Sequence, residues 1–189
     1  MNLKQYANDN KVPIIEDDGL EFIVDYIKKN NVKRILEIGT AIGYSAINFA
    51  KISEEIFVKT IERDESMFSY ASEAIKHYKL ENQIEIVFKD ALEIDIMEKY
   101  DLIFIDAAKA QYIKFFEKFS KNLDTNGAII CDNLDFHGII HKDSSEIKSR
   151  DLRQLMRKLR NFIEFLRSND DFETVFHKIG DGISVSKRR

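Results

Sequence analysis

Three side chains that carry oxygen follow apolar stretches of the sequence. Asp106 closes residues 101–106, and Asp132 and Asn133 close residues 127–133. Each apolar stretch has the length of a buried strand, so its last residues would open into a cleft at the strand end. Hard oxygen donors of this kind suit Mg²⁺ or a similar cation. The pattern predicts a metal site, although each aspartate alone could be a helix cap and Asn133 a turn residue.

A glycine-rich turn, residues 37–45, follows an earlier apolar stretch with the spacing E-x-G-x-x-x-G-x-S. This spacing differs from the dinucleotide fingerprint G-x-G-x-x-G. Its glycines let the backbone approach a ligand, and the helix that follows offers free N–H groups. Glu62 ends the next predicted strand, where an acid can accept both ribose hydroxyls, and Asp90-Ala91 ends the one after. The three positions together predict a nucleoside site; a purely structural turn is the alternative.

Strands and helices alternate after residue 30, which predicts a parallel sheet with helices on both faces. The predicted strands are 34–39, 57–62, 83–89, 101–105 and 127–131. Later, a long helix over 151–167 precedes a hairpin centred on Gly180-Asp181-Gly182. One amphipathic helix is predicted near the N-terminus. No repeat or linker interrupts the pattern, so residues 1–189 are predicted to form a single α/β domain.

The bulk composition limits the class of protein. The chain has 189 residues, 44% of them apolar, and a net charge of −4. Its single cysteine, Cys131, excludes an internal disulfide and fits a reducing compartment. There is no apolar run of the length that crosses a membrane, and the first residues lack a secretory signal. We therefore expect a cytoplasmic protein without membrane contact.

Three motifs together identify a resemblance. They are LEIGTAIGYS at 36–45, FIDAAK at 104–109 and CDN at 131–133. In this order and on these strands, they resemble the class I S-adenosylmethionine (SAM) methyltransferases. They look most like the cation-dependent family that includes catechol and caffeoyl-CoA O-methyltransferases. Residues 107–112 and 180–186 look most like the bacterial branch that methylates 5-hydroxyuridine in the tRNA anticodon loop.

The resemblance implies a Rossmann-like sheet of seven strands, mostly parallel with the last antiparallel, and a homodimer. It implies SAM as cofactor and Mg²⁺ as metal, with Lys109 as the catalytic base. The implied cofactor contacts are Ile14 from an N-terminal flap, Glu37, Gly39, Tyr44 and Ser45 at the methionine end, Glu62 at the ribose, Asp90 and Ala91 at the adenine, and Asp106. The implied metal ligands are Asp106, Asp132 and Asn133. Since few residues precede the flap, we expect the family's additional N-terminal helix to be missing or very short.

The acceptor is predicted from the pocket mouth and a basic helix. Ala107 and Ala108 stand where small-catechol members of the family have bulky aromatics, so the mouth should be open. An open mouth suits a base presented on RNA. The predicted RNA-binding residues are Arg150, Arg153, Arg157, Lys158 and Arg160. A solvated face or a dimer contact is the alternative for this helix. A small-molecule catechol methyltransferase and a non-catalytic nucleoside-binding module are the rival functions.

The segment from 134 to 149 is predicted to be a lid beside the metal. His137 and His141 are candidates for substrate contacts in this segment.

Overall fold

A computed structural model describes residues 1–136, 138–143 and 145–189. Its centre is a seven-stranded sheet with the order β3-β2-β1-β4-β5-β7-β6. The strands are β1 (Arg34–Ile38), β2 (Phe57–Glu62), β3 (Ile84–Phe88), β4 (Tyr100–Ile105), β5 (Leu123–Cys131), β6 (Phe172–His177) and β7 (Ile183–Arg188). Strands β1 to β5 pair in parallel, whereas β7 runs antiparallel to β5 and β6. The predicted sheet, mostly parallel with an antiparallel last strand, is confirmed.

Six α-helices cover the two faces of this sheet. They are α1 (Leu3–Asn10), α2 (Asp17–Lys29), α3 (Tyr44–Ala50), α4 (Glu65–His77), α5 (Tyr112–Ser120) and α6 (Arg150–Arg167). Helices α1 to α4 contribute to one buried apolar cluster, and α5 and α6 contribute to the other. Ile35 and Leu36 are neighbours on β1 but belong to opposite clusters, because successive strand side chains point to opposite faces. Helices therefore lie on both faces, as predicted.

The N-terminal part differs from the prediction of a single amphipathic helix. Helix α1, of eight residues, precedes α2. The Asn2 side chain caps it by accepting a hydrogen bond from the Gln5 N–H, which is a common device at helix starts. Only Leu3 and Ala7 of this helix are buried. Two apolar contacts are too few to give the helical periodicity from which α2 was predicted.

The predicted hairpin forms between β6 and β7, and its turn reaches the end of β5. Gly182 has a φ of 85°, and a Cβ added there would lie 2.8 Å from the Asp135 nitrogen. Leu134 and Asp135 donate backbone hydrogen bonds to the Gly182 and Asp181 carbonyls, at 2.9 and 2.7 Å. The turn thus fixes the chain immediately after the predicted metal-ligand pair.

The segment between β5 and α6 includes a short 3₁₀ turn, Ile139–His141. His141 is exposed and its Nε2 lies 2.7 Å from an Asp135 carboxylate oxygen. His137, the other histidine predicted to contact substrate, lies outside the described residues. Within the described part of the chain, every helix is too short or too polar to cross a membrane.

Candidate functional site

The carboxyl ends of three central strands meet at one edge of the sheet. Backbone hydrogen bonds extend the parallel pairing past the strands: Gly39 donates to Ile61, and Asp106 donates to Ile38. Gly39 has a φ of 98°, and a Cβ added there would lie 2.1 Å from the Asp106 carbonyl oxygen. This close approach requires glycine. It also brings the predicted cofactor turn against the first predicted metal ligand.

Two adjoining hollows at this edge form one cleft, with volumes of about 670 Å³ and 150 Å³. They share the wall formed by Gly39, Ala41, Asp106 and Ala107. The predicted residues that line the larger hollow are Ile14, Gly39, Tyr44, Ser45, Asp106, Lys109 and Asn133. Those that line the smaller hollow are Gly39, Glu62, Asp90, Ala91 and Asp106. The cleft is large enough for a small-molecule ligand, and of the predicted cofactor and metal residues only Glu37 and Asp132 do not line it.

Glu62 is fixed by the backbone on the wall of the smaller hollow. Its Oε1 accepts hydrogen bonds from the N–H groups of Arg63 and Asp64, and its Oε2 accepts one from Ala41, each at 2.8 Å. A carboxylate has about four acceptor positions, so three are taken. The arrangement leaves one position for a ribose hydroxyl, where the sequence predicted that both hydroxyls would bind.

Glu37 lies beneath the cleft and not on its surface. The carboxylate is completely buried and accepts hydrogen bonds from the hydroxyls of Ser45 and Thr60. Thr60 in turn lies 2.6 Å from the hydroxyl of Thr40. Burial raises the pKa of Glu37 to about 8, although the two hydroxyl donors oppose the shift. In this position Glu37 supports Ser45, which lines the cleft.

The predicted metal ligands lie together at the ends of β4 and β5. Burial raises the pKa of Asp106 and of Asp132, and the Asp106 charge raises that of Asp132 further, whereas the Lys109 ammonium lowers both. The Lys109 Nζ donates a 2.8 Å hydrogen bond to Asn133 Oδ1. Asn133 holds a left-handed backbone, with a φ of 59°, and its amide nitrogen lies 3.3 Å from Asp132 Oδ2. The structure therefore brings all four residues into one cluster.

The donor set of this cluster fits Mg²⁺. Two carboxylates and an amide oxygen are hard ligands, and three protein ligands leave half of an octahedral shell open. A divalent cation would also offset the repulsion between the carboxylates of Asp106 and Asp132. Among the described residues, no group of three or more His, Cys, Asp or Glu side chains is placed to hold a metal; the predicted set has only two acids and relies on the Asn133 amide.

Several residues of the cleft were not predicted, and three of them interact with the predicted ones. Asp181 is buried, lines the larger hollow, and raises the pKa of Asp132 by charge repulsion. Phe136 lines the same hollow, and its ring centre lies 5.5 Å from Lys109 Nζ. Thr40 lines it as well and continues the buried hydroxyl chain to Glu37. A left-handed Phe136, with a φ of 48°, leaves no signal in the sequence.

The predicted RNA-binding residues on α6 fall into two groups. Arg150, Arg157 and Lys158 are exposed to solvent. Arg153 and Arg160 donate hydrogen bonds to backbone carbonyls of the segment before α6. Four of the arginines line a shallow surface hollow beside Gln154 and Asn161. The helix therefore combines exposed basic residues with two arginines, the exposed Arg153 and the partly buried Arg160, that anchor the segment before it.

Comparison with known proteins defines the class. Residues 2–189 match the model of the O-methyltransferase family, and the chain belongs to that family. A Staphylococcus aureus protein, provisionally described as a caffeoyl-CoA O-methyltransferase, is 43% identical with a TM-score of 0.94 over 99% of this chain and 90% of that one. An O-methyltransferase from Bacillus cereus, solved with S-adenosylhomocysteine (SAH), is 25% identical with a TM-score of 0.83 over 99% and 89% of the two chains.

A curated relative agrees with this class. The caffeoyl-CoA O-methyltransferase of Populus kitakamiensis is 26% identical over 193 residues, which cover 98% of this chain and 82% of the relative. Family membership, together with the cleft at the strand ends, supports SAM-dependent O-methyl transfer as the activity of the chain. The family match defines neither the acceptor that is methylated nor the metal that is bound.

Proposed function

We propose that this chain is a Mg²⁺-dependent O-methyltransferase that moves the methyl group of SAM to the 5-hydroxyl of 5-hydroxyuridine in the tRNA anticodon loop. The observation that supports this most is the cluster of Lys109, Asn133, the partly buried Asp106 and the buried Asp132 beside an open mouth. Ala107 and Ala108 are only partly buried at this mouth. Because these two side chains are small, a base carried on a polymer could enter at this position.

The chemistry assigned to the chain is a direct displacement. In its neutral amine form, Lys109 Nζ takes the proton of the acceptor hydroxyl, and an oxygen lone pair then forms the new O–C bond as the S–C bond of the sulfonium breaks. SAH leaves with the electron pair of that bond. Positioning of the two reactants accounts for much of such an acceleration. When bound, Mg²⁺ would supply Lewis acidity and orientation for the acceptor oxygen.

The chain's own residues would hold SAM across both hollows. The smaller hollow, with Glu62, Asp90 and Ala91, suits the nucleoside. The larger hollow, with Tyr44 and Ser45, suits the methionine end and places it near Asp106. Ile14 lies over this end from the segment between α1 and α2. The sulfonium methyl would then face the side of the cleft where Lys109 lies.

The RNA assignment draws on charge outside the cleft. Arg150, Arg157 and Lys158 are exposed on α6, and such residues can contact phosphates. A 5-hydroxyuracil presents its hydroxyl beside the 4-carbonyl, a pair of oxygens close to that of a catechol. Either acceptor could therefore approach the same metal ligands, and the basic surface is what favours RNA.

A small catechol is the second candidate acceptor. It is favoured by the similarity to a caffeoyl-CoA O-methyltransferase, whose acceptor is a small molecule. A third possibility, a SAM-binding module without catalysis, fits poorly with a complete set of Lys109, Asp106, Asp132 and Asn133.

A homodimer is also part of the proposal, and sedimentation equilibrium of the purified chain would measure it.

One experiment separates these functions. The protein would be incubated with methyl-labelled SAM and Mg²⁺, and with either hypomodified tRNA that carries 5-hydroxyuridine or 3,4-dihydroxybenzoate. Label in the tRNA at that nucleoside is the expected result. Label in the catechol but never in tRNA would overturn the RNA assignment, and label in neither would favour the binding module. A parallel reaction with EDTA tests the metal, because activity that survives EDTA would exclude a Mg²⁺ requirement.

A further inference from the structure

Phe136 stands on the acceptor side of the cleft, in the segment that joins β5 to α6. It lines the larger hollow together with Lys109 and Asn133. Its backbone has a φ of 48°, a conformation that costs energy for a bulky residue and persists only when the surroundings enforce it. Two parts of the segment, one on each side of Phe136, are fixed by contacts from distant elements.

The first fixed part precedes Phe136. Leu134 and Asp135 donate backbone hydrogen bonds to the turn between β6 and β7. The side chain of Leu134 is buried, as is that of Ile140 farther along. The Ile140 N–H returns to the Asp135 carbonyl at 3.2 Å. This closes a small loop around Phe136, so the position of Ile140 affects that of Phe136.

The second fixed part depends on Arg160. Its Nε and Nη2 donate to the Ile140 carbonyl at 3.1 and 2.9 Å, and Nη2 also donates to the Lys142 carbonyl. The planar guanidinium group presents several N–H donors in a fixed fork and can contact two carbonyls at once. A lysine ammonium carries all its donors on one nitrogen and cannot reproduce this geometry. Arg153 makes a similar contact farther along, with the carbonyls of Ile147 and Lys148 at 2.6 and 3.0 Å.

We infer that Arg160 is a positioning residue for the acceptor: it holds the Ile140–Lys142 backbone and thereby sets the place of Phe136 beside Lys109. The inference rests on the proposed O-methyl transfer but not on tRNA as the acceptor. It also reassigns Arg160 from the predicted RNA surface to an anchor of the segment that carries Phe136. The nucleoside side of the cleft, at the ends of β2 and β3, lies at least three strands along the sheet from β5 and should not respond.

The test uses Arg160→Lys, which keeps the charge but loses the double contact. Arg167→Lys is the matched control on the same helix, because Arg167 is exposed and pairs with Glu164. Three quantities would be measured: the KM for the acceptor, with both 5-hydroxyuridine tRNA and 3,4-dihydroxybenzoate as probes; the Kd for SAH; and the rate of trypsin cleavage after Lys142. The melting temperature checks that each variant is folded.

For Arg160→Lys we expect the acceptor KM to rise about tenfold, the SAH Kd to stay within about twofold, and cleavage after Lys142 to accelerate. Arg167→Lys should change none of these. Equal cleavage rates in the two variants, or equal shifts in acceptor KM and SAH Kd, would overturn the inference. If Arg160→Lys does not fold, Arg160→Gln, with the same three measurements, provides the same comparison.

The cleavage rate also separates this inference from the proposed function. It reports the anchoring of the segment without any acceptor present. Faster cleavage in Arg160→Lys, in a protein that methylates neither acceptor, would refute the proposed function while leaving the anchor intact. Unchanged cleavage in an active enzyme would refute the anchor alone.

Discussion

The two sides of the cleft are held in different ways. On the nucleoside side, Glu62 accepts three backbone N–H groups from the turns on either side of it. On the acceptor side, the partly buried Asp106 lies near the buried Asp132, and burial raises the pKa of both. The first carboxylate is satisfied by the fold itself. The two aspartates have the Lys109 cation nearby, and a divalent ion would fit beside them.

This difference suggests a division of labour. A side that is fixed by its own backbone is preorganised for one ligand, and little has to move when that ligand binds. On a side with unfavourable buried charge, the folded protein is destabilised, and a bound cation can offset this destabilisation. Substitutions on the two sides should therefore separate cofactor affinity from catalysis, and they should have opposite effects on the stability of the metal-free protein.

The largest effect is expected for Lys109→Met, on the acceptor side. It removes the proposed base, so kcat should fall by about 10² to 10⁴, the range of general base catalysis. The Kd for SAH, measured by calorimetry, should stay within about twofold. Lys114→Met on the exposed face of α5 is the control and should be active. If affinity and kcat fell together, Lys109 would be a binding residue.

Asp132→Asn should come next, with a loss of activity of about a hundredfold through the metal. Without metal, the variant should melt at a higher temperature than the wild type, since a buried like charge is removed. Mg²⁺ at about five times its Kd should stabilise the wild type by about 1 kcal/mol and the variant much less. Differential scanning calorimetry measures both quantities.

Asp124→Asn, near the opposite end of β5, is the matched control for this substitution. It should leave the response to Mg²⁺ unchanged. An equal Mg²⁺ stabilisation in Asp132→Asn and the wild type would place the ion elsewhere.

On the nucleoside side, Glu62→Gln should weaken SAH binding by about tenfold, because a charged hydrogen-bond acceptor is lost. The amide would also point a donor at backbone donors and loosen the turn. Calorimetric titration with SAH measures the affinity, and Glu65→Gln on the surface of α4 is the control. A lower melting temperature with unchanged SAH affinity would restrict Glu62 to holding the turn.

Glu37, which is buried beneath the cleft, should make the free energy of unfolding depend on pH. Its pKa is raised by burial to about 8, from an ordinary value of 4.5. The folded state therefore binds more protons than the unfolded state between these values, and the free energy of unfolding should fall as pH rises through that window. The slope is at most about 1.4 kcal/mol per pH unit. Urea unfolding of Glu37→Gln should show a flatter profile; parallel profiles would contradict the assignment.

The sequence predicted the parts of the site that depend on short-range pattern. Gly39, Glu62, Asp106 and Asp132 each end a recognisable apolar run, and parallel strands bring such ends to one edge. The contributions of Asp181 and Arg160 could not be predicted this way. Asp181 reaches the cleft from the turn between β6 and β7, and Arg160 acts through the carbonyls of the segment before α6. Both elements are distant in sequence from the site, and no residue pattern marks these contacts.

The basic helix shows the same limit. The sequence placed five cationic residues on one surface, and the side chains of Arg153 and Arg160 proved to hold backbone carbonyls. A count of charges cannot tell a cation that faces solvent from one that anchors a loop. The structure therefore narrows the candidates for direct RNA contact to Arg150, Arg157 and Lys158.

The smallest expected effect tests that narrower surface. Arg157→Glu should weaken the binding of tRNA by about three- to tenfold and reduce the slope of log affinity against log salt by about one. The reason is that a phosphate contact contributes through counterion release. Filter binding at several KCl concentrations measures the slope. Arg167→Glu, which makes an equal change in net charge at the C-terminal end of α6, is the control. An equal loss in both variants would mean that tRNA senses only the overall charge of the helix, and the acceptor side would then have no RNA surface of its own.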